Sequence, residues 1–178
     1  TERLVAAAGT AVNGHAKVTW EGTTADLTPP WPRLTYCDAI KRETGHDVRG
    51  LDVAGLRKVC EAIHVHYEPF MGVGALLDLI FGEKVEPTLV GPVLVTDFPV
   101  ETTPLARRHR DDPALVERFE AFCFGKELAN AFSELNDPVD QRQRFEAQMG
   151  LRAAGDAEAQ VLDADYVRAL EHGMPPAG

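Results

Sequence analysis

Five side chains between residues 120 and 134 are of types that do chemistry: Glu120, Glu127, Asn130, Phe132 and Glu134. They lie in the run RFEAFCFGKELANAFSELNDP, which begins at Arg118. Carboxylates on adjacent strands repel each other unless a cation or a cationic ligand sits between them. Glu120 and Glu127 suit Mg²⁺, which takes oxygen ligands and commonly completes its shell with substrate phosphates. Asn130 can hydrogen-bond a carboxylate or an amide. Phe132 can pack along an alkyl chain. Glu134, at the end of that apolar slot, would select an ammonium group through a desolvated ion pair. Taken together, the types describe a nucleotide phosphate with Mg²⁺ beside a long aliphatic amine.

The elements that must position them read as a β-hairpin. Phe119 to Phe124 and Glu127 to Leu135 are strand-like, joined near Gly125-Lys126. A strict two-residue turn there pairs Phe124 with Glu127 and Glu120 with Ala131, so Glu120 and Glu127 share a face. By period-two counting, Asn130, Phe132 and Glu134 then lie on the opposite face from Glu127. All five converge only if a bulge between Glu127 and Asn130 shifts the parity. Without it, the same residues are two exposed glutamates on one face and a satisfied polar pair on the other.

Upstream, Glu2 to Val12 has helical spacing and stops at Asn13-Gly14. Lys17 to Trp20 and Thr24 to Leu27 read as two short strands about Glu21-Gly22. TPPWP, from Thr28 to Pro32, is excluded from regular structure by its three prolines. Thr35 has the character of an N-cap, with Asp38 three residues on, for a helix from Tyr36 to Thr44 ended by Gly45. From 47 to 87 the chain reads as a helical insertion. One helix follows Asp52 and shows Leu56, Val59 and Ile63; a second carries Val73, Leu76, Leu77, Ile80 and Phe81. Between them, His64 to Glu68 reads as a short strand with His64 and His66 on one face. That is a possible metal pair but lacks a third ligand nearby, and such histidines are commonly surface or packing residues. Leu89 to Thr96 is an apolar, β-branched run expected to be a buried strand broken by Asp97-Phe98-Pro99. Val100 to Arg108 reads as a loop whose adjacent arginines, Arg107 and Arg108, could pair with acidic groups. Asn136 or Asp137 caps a helix with Pro138 at its first position, running to about Ala154. Asp163 caps a last helix, Ala164 to Glu171.

The 178 residues carry a net charge of −10 and 44% hydrophobic content. That composition is ordinary for one globular domain. The acidic balance argues against a nucleic-acid-binding face on this piece. Cys37, Cys60 and Cys123 are widely spaced and odd in number, which suits buried thiols in a reducing cytoplasm. The chain has no apolar run long enough to span a bilayer. It opens as though a helix were already under way and closes on GMPPAG, and both ends point to a fragment.

Three blocks, VTDFPVETTPLARR, RFEAFCFGKELANAFSELNDPVDQRQRFEAQ and GDAEAQVLDADYVRALEHGMPP, resemble the class II lysyl-tRNA synthetases in order and spacing. The upstream WPRLTYCDAIKRETG resembles the sequence that leads into that family's helical insertion. The resemblance implies an α+β fold, part of an antiparallel-sheet catalytic domain. It also implies ATP-dependent activation of L-lysine to lysyl-adenylate, transfer to tRNA(Lys), a homodimer and a cytoplasmic location. Residue by residue, Glu120 and Glu127 resemble the pair that binds Mg²⁺ and organises ATP. Asn130 resembles the contact to the amino acid's carboxylate, Phe132 the wall along its stem, and Glu134 the acceptor for the ε-ammonium.

Several parts of that family's pattern are absent from these residues. They are the N-terminal OB domain, the first motif with its dimer interface, the second motif with an ATP-binding arginine, and the third, Gly-rich motif expected after Gly178. The expectation is a piece of the active site that is inactive alone, with no residue assigned as catalytic. TTPLARR departs slightly from the family's usual Ser-Pro. A protein-lysine-ligase paralogue would show His-Glu-Leu-Thr where this chain has Ser133-Glu134-Leu135-Asn136. A non-catalytic synthetase-like binding module is the alternative from another class.

Overall fold

Four helices in this chain start at side-chain oxygens that take up backbone N–H groups otherwise left without a partner. The computed structural model describes residues 1–157 and 159–176. Thr35 Oγ1 accepts from Asp38 N at 3.3 Å and opens α2 (Tyr36–Thr44). Asp52 Oδ1 accepts from Gly55 N at 2.8 Å and opens α3 (Val53–Ala62). Asp137, rather than Asn136, caps α5 (Pro138–Ala153), accepting from Val139 N and Asp140 N. Asp163 caps α6 (Ala164–Glu171) through Tyr166 N. The remaining helices are α1 (Glu2–Asn13) and α4 (Val73–Lys84).

Two sheets complete an α+β architecture. β1 (Lys17–Trp20) and β2 (Thr23–Asp26) form a hairpin. A four-stranded sheet has the order β3 (Arg33–Thr35), β4 (Val93–Pro99), β5 (Leu115–Cys123), β6 (Lys126–Phe132). β3 runs parallel to β4, and the other two pairings are antiparallel. Apolar residues alternate along β5 and divide the core in two. Val116 and Phe122 face α2, α3 and α4, where Tyr36 stacks on Phe81 at 4.5 Å and meets Phe98 at 4.8 Å. Ala121 and Cys123 face the other way, toward Trp31, Leu27 and Ala6. Fully buried rings such as Tyr36 and Phe122 each contribute about 1.5–3 kcal/mol.

The structure corrects several boundaries. Residues 64–68 form no strand; His64 sits at φ 57°, and His66 is exposed beside Glu68. The shared strand face that a His64–His66 pair needs is therefore missing. Asp97 does not end β4. It takes φ 57° as a bulge, and the ladder resumes at Phe98 opposite Val116. β3 was not anticipated: its three residues are too few to show a period, and its pairing comes from β4. Val100–Thr102, read as loop, is a 3₁₀ turn. The C-terminal residues 177 and 178, where the final loop was expected to end, lie outside the described residues.

α4 approaches the Val100–Thr102 turn so closely that a Cβ on Gly74 would lie 2.0 Å from the carbonyl oxygen of Glu101. Backbone on both sides leaves little room to yield. Gly74→Ala is expected to destabilise the fold by about 1–3 kcal/mol or more in urea unfolding. Gly91→Ala, with nothing within 4 Å, serves as the control. Equal midpoints for the two variants would contradict this packing.

Candidate active site

The hairpin turns one residue earlier than the sequence suggests. Phe124 and Gly125 occupy its two central positions, at φ 57° and 66°. Positive φ at both places matches the twist of antiparallel strands and favours glycine. The tip is held down by Phe124 N donating to Val90 O and Gly125 N donating to Leu89 O. Pairing then starts with Cys123 opposite Lys126 and Phe122 opposite Glu127. Next come Ala121 opposite Ala129 and Glu120 opposite Asn130. Leu128 is the extra residue: one position on β6 has no counterpart on β5, and Leu128 stays 45% exposed.

This bulge decides the geometry. It shifts the parity of β6, so Glu127, Asn130 and Phe132 fall on one face, opposite Phe122, Glu120 and Arg118. The simple ladder expected from the sequence, with Glu120 opposite Ala131, is not formed. The parity shift that convergence requires is present, and it lies between Glu127 and Asn130.

The counter-charge to Glu120 comes from its own strand. Arg118 Nη2 donates to Glu120 Oε1, and Arg118 Nε donates to Asn130 Oδ1 at 3.2 Å. Asn130 Nδ2 donates to the same Glu120 Oε1 at 3.1 Å. The guanidinium lies 4.6 Å from the centre of the Phe98 ring. Glu120 is only 7% exposed. Burial pushes its carboxyl up to about 7, against the lowering effect of Arg118, and the charge of Glu127 pushes it further up. Glu86, in the turn after α4, is likewise raised by burial and then by Glu127. Glu120, Glu127 and Glu86 thus gather negative charge near Arg118, an arrangement that a cation would suit.

Phe132 lines an open cleft with Arg118, Thr96 and His109. Beyond it the chain leaves β5 and pairs with 105–108: Arg107 N donates to Ser133 O, and Glu134 bridges Ala106. Glu134 lines a cavity of about 410 Å³ with Leu105, Leu135, Phe145, Tyr166 and Leu170. Burial, then the charge of Glu134, raises the Tyr166 hydroxyl. Arg108, one of the two loop arginines, pairs with Asp140, which also holds the buried Arg144.

As a donor set for a metal, the face offers two carboxylates. Glu120 Oε1 is occupied, while Oε2 takes no hydrogen bond among the described residues, and Glu127 is exposed. No group of three or more His, Cys, Asp or Glu gathered for a metal occurs among the described residues. Two oxygen ligands fit Mg²⁺ that arrives with phosphates rather than an all-protein cage.

The family model described as tRNA synthetases class II (D, K and N) matches residues 1–178. The chain belongs to the class II tRNA synthetases. A lysine–tRNA ligase of Moorella thermoacetica is 49% identical over 99% of this chain. One from Synechococcus sp. (strain CC9605) is 51% identical over all of it, and one from Porphyromonas gingivalis 47% over 99%. The chain spans 36%, 36% and 30% of those relatives' lengths. No helix among the described residues of this synthetase chain is long and apolar enough to cross a membrane.

Sequence reasoning assigned no role to Arg118, Asp78 or Glu86. Arg118 was legible in principle, since it stands two residues before Glu120 and so on the same strand face. Asp78 and Glu86 reach the site only through the packing of α4. Asp78 accepts from Tyr36 Oη at 3.1 Å and lines a cleft with Phe70, Met71 and Leu151. Water reaches it from one side, yet protein crowds the other. Burial raises its carboxyl to about 6, opposed by the Tyr36 bond and by Arg118, with Glu86 adding to the rise. A raised carboxyl favours the neutral form in the fold, so its contribution to stability is present below the unfolded value, 3.8, and lost as pH rises through about 6. Asp78→Asn stays neutral, so its stability relative to the parent is expected to rise between about pH 4 and pH 7, less than for a sealed carboxylate. Parallel stability curves in pH-dependent urea unfolding would contradict this assignment.

Proposed function

We propose that this chain is the part of a lysine–tRNA ligase catalytic domain that binds the amino acid and the metal-bearing end of ATP. The observation that carries the reading is the Leu128 bulge, which puts Glu127 and Asn130 on the face of Glu120. The names of the relatives at 47–51% identity support lysine as the substrate. Glu120 Oε2 and Glu127 would hold Mg²⁺, which when bound neutralises phosphate charge. Asn130 meets the lysine carboxylate, Phe132 flanks the aliphatic stem, and Glu134 accepts the ε-ammonium. These residues orient the lysine carboxylate toward the α-phosphate of ATP. A bond from carboxylate oxygen to the α-phosphorus forms and pyrophosphate leaves; a 3′-terminal hydroxyl of tRNA(Lys) then takes the acyl group, and AMP leaves. Such catalysis rests on positioning and on electrostatic stabilisation of phosphate charge.

The reading includes a longer, dimeric, cytoplasmic protein that supplies the phosphate-binding cations. Residues 47–87 are a helical insertion in its catalytic domain, and Asp78 and Glu86 bring that insertion to bear on the site.

In the full-length protein, Glu134→Gln is expected to lower kcat/KM for lysine roughly 30- to 1000-fold, the loss of one desolvated charge partner, in lysine-dependent ATP–pyrophosphate exchange. The 178-residue chain alone is expected to give no exchange. Exchange by the isolated chain, or an unaltered Glu134→Gln enzyme, would overturn the proposal.

A further inference from the structure

Arg118 is a strand residue with donors only, and it stands where an amide has to be turned one way. Its partners are Asn130 Oδ1 at 3.2 Å and Glu120 Oε1. Guanidinium accepts nothing, so the Asn130 atom facing it must be the oxygen, which leaves the amide nitrogen to face Glu120. The arginine therefore specifies the amide orientation by itself, whatever the protonation state of Glu120. The amide oxygen of Asn130 is spent, one Nδ2 hydrogen goes to Glu120, and the second is unspent among the described residues. Glu120 is fixed in the same way: Oε1 receives two donors and Oε2 receives none among the described residues.

The guanidinium is itself held. Its side chain is 15% exposed and lies against the Phe98 ring, on the residue directly opposite Phe132. A lysine at this place would keep the charge but lose the planar fork that reaches an amide and a carboxylate at once. Neutralising Glu120 would need only the charge.

We propose that Arg118 is a positioning residue: its fork turns the donor end of Asn130 toward the incoming carboxylate and leaves Glu120 Oε2 open for the cation. The inference rests on the lysine site proposed above and deepens it. Its consequence is specific to the substrate's carboxylate and does not touch recognition of the ammonium.

The test is equilibrium binding of L-lysine and of L-lysinamide, which lacks the carboxylate, to the full-length protein by calorimetry. The unaltered protein should prefer lysine. Arg118→Lys should weaken lysine about tenfold and lysinamide by no more than about twofold, since one charge-assisted donor is lost. Asn130→Asp, at an exposed position, keeps the arginine and offers it a carboxylate; it should reverse the preference. Equal weakening of both ligands by Arg118→Lys, or a lower melting temperature with the preference unchanged, would overturn the role. So would an Asn130→Asp protein that still prefers lysine. Failure of the unaltered protein to bind either ligand would instead remove the lysine site, and the positioning role with it.

Discussion

A carboxylate taken almost out of water must be compensated, and in this chain that carboxylate is Glu120. Its surroundings are arranged about the cost. Arg118 supplies one positive charge, Asn130 supplies a neutral donor, and the Phe98 ring backs the guanidinium. Against them stand Glu127, Asp78 and Glu86, each adding negative potential at or near the same face. A buried ion pair is only weakly stabilising once desolvation is counted. Such a gathering of carboxylates is the arrangement that the proposed cation site needs.

The fold provides this face through one residue too many. Leu128 has no partner on β5, and that single insertion reverses which side of β6 each later side chain occupies. The turn at Phe124-Gly125 is anchored to the loop after α4 by two backbone hydrogen bonds, so the register cannot slide to absorb the extra residue. β5 is clamped between β4 and β6, and its inward side chains are among the most buried in the chain. Rigid support on one strand and a bulge on the other put Glu120, Glu127 and Asn130 on one face.

Much of this was legible in the sequence, for local reasons. Capping side chains act within a turn of their helix, and Thr35, Asp52, Asp137 and Asp163 each start the helix expected of them. That the five residues could converge only with a bulge between Glu127 and Asn130 followed from counting alone. Its place at Leu128 did not, because it depends on where the turn sits, and Phe124 is an unusual residue to adopt positive φ. Asp97 misled for a similar reason: a polar residue before Phe-Pro reads as a strand end, and here it is a bulge that the flanking ladder carries across. The strand expected around His64 and His66 lacked any partner to pair with. The role of Arg118 was not legible, because its two-way hydrogen bonding appears only once Asn130 is placed opposite Glu120.

Convergence of Glu120 and Glu127 on one cation, with Arg118 keeping its hold on Oε1, is tested most directly by diffraction. The full-length protein would be crystallised with lysine, a non-hydrolysable ATP analogue and Mn²⁺ in place of Mg²⁺, and its anomalous density measured. The expected result is a peak about 2.1 Å from Glu120 Oε2 and from a carboxylate oxygen of Glu127. A peak that touches neither residue, or a Glu127 side chain on the opposite face of the sheet, would contradict it.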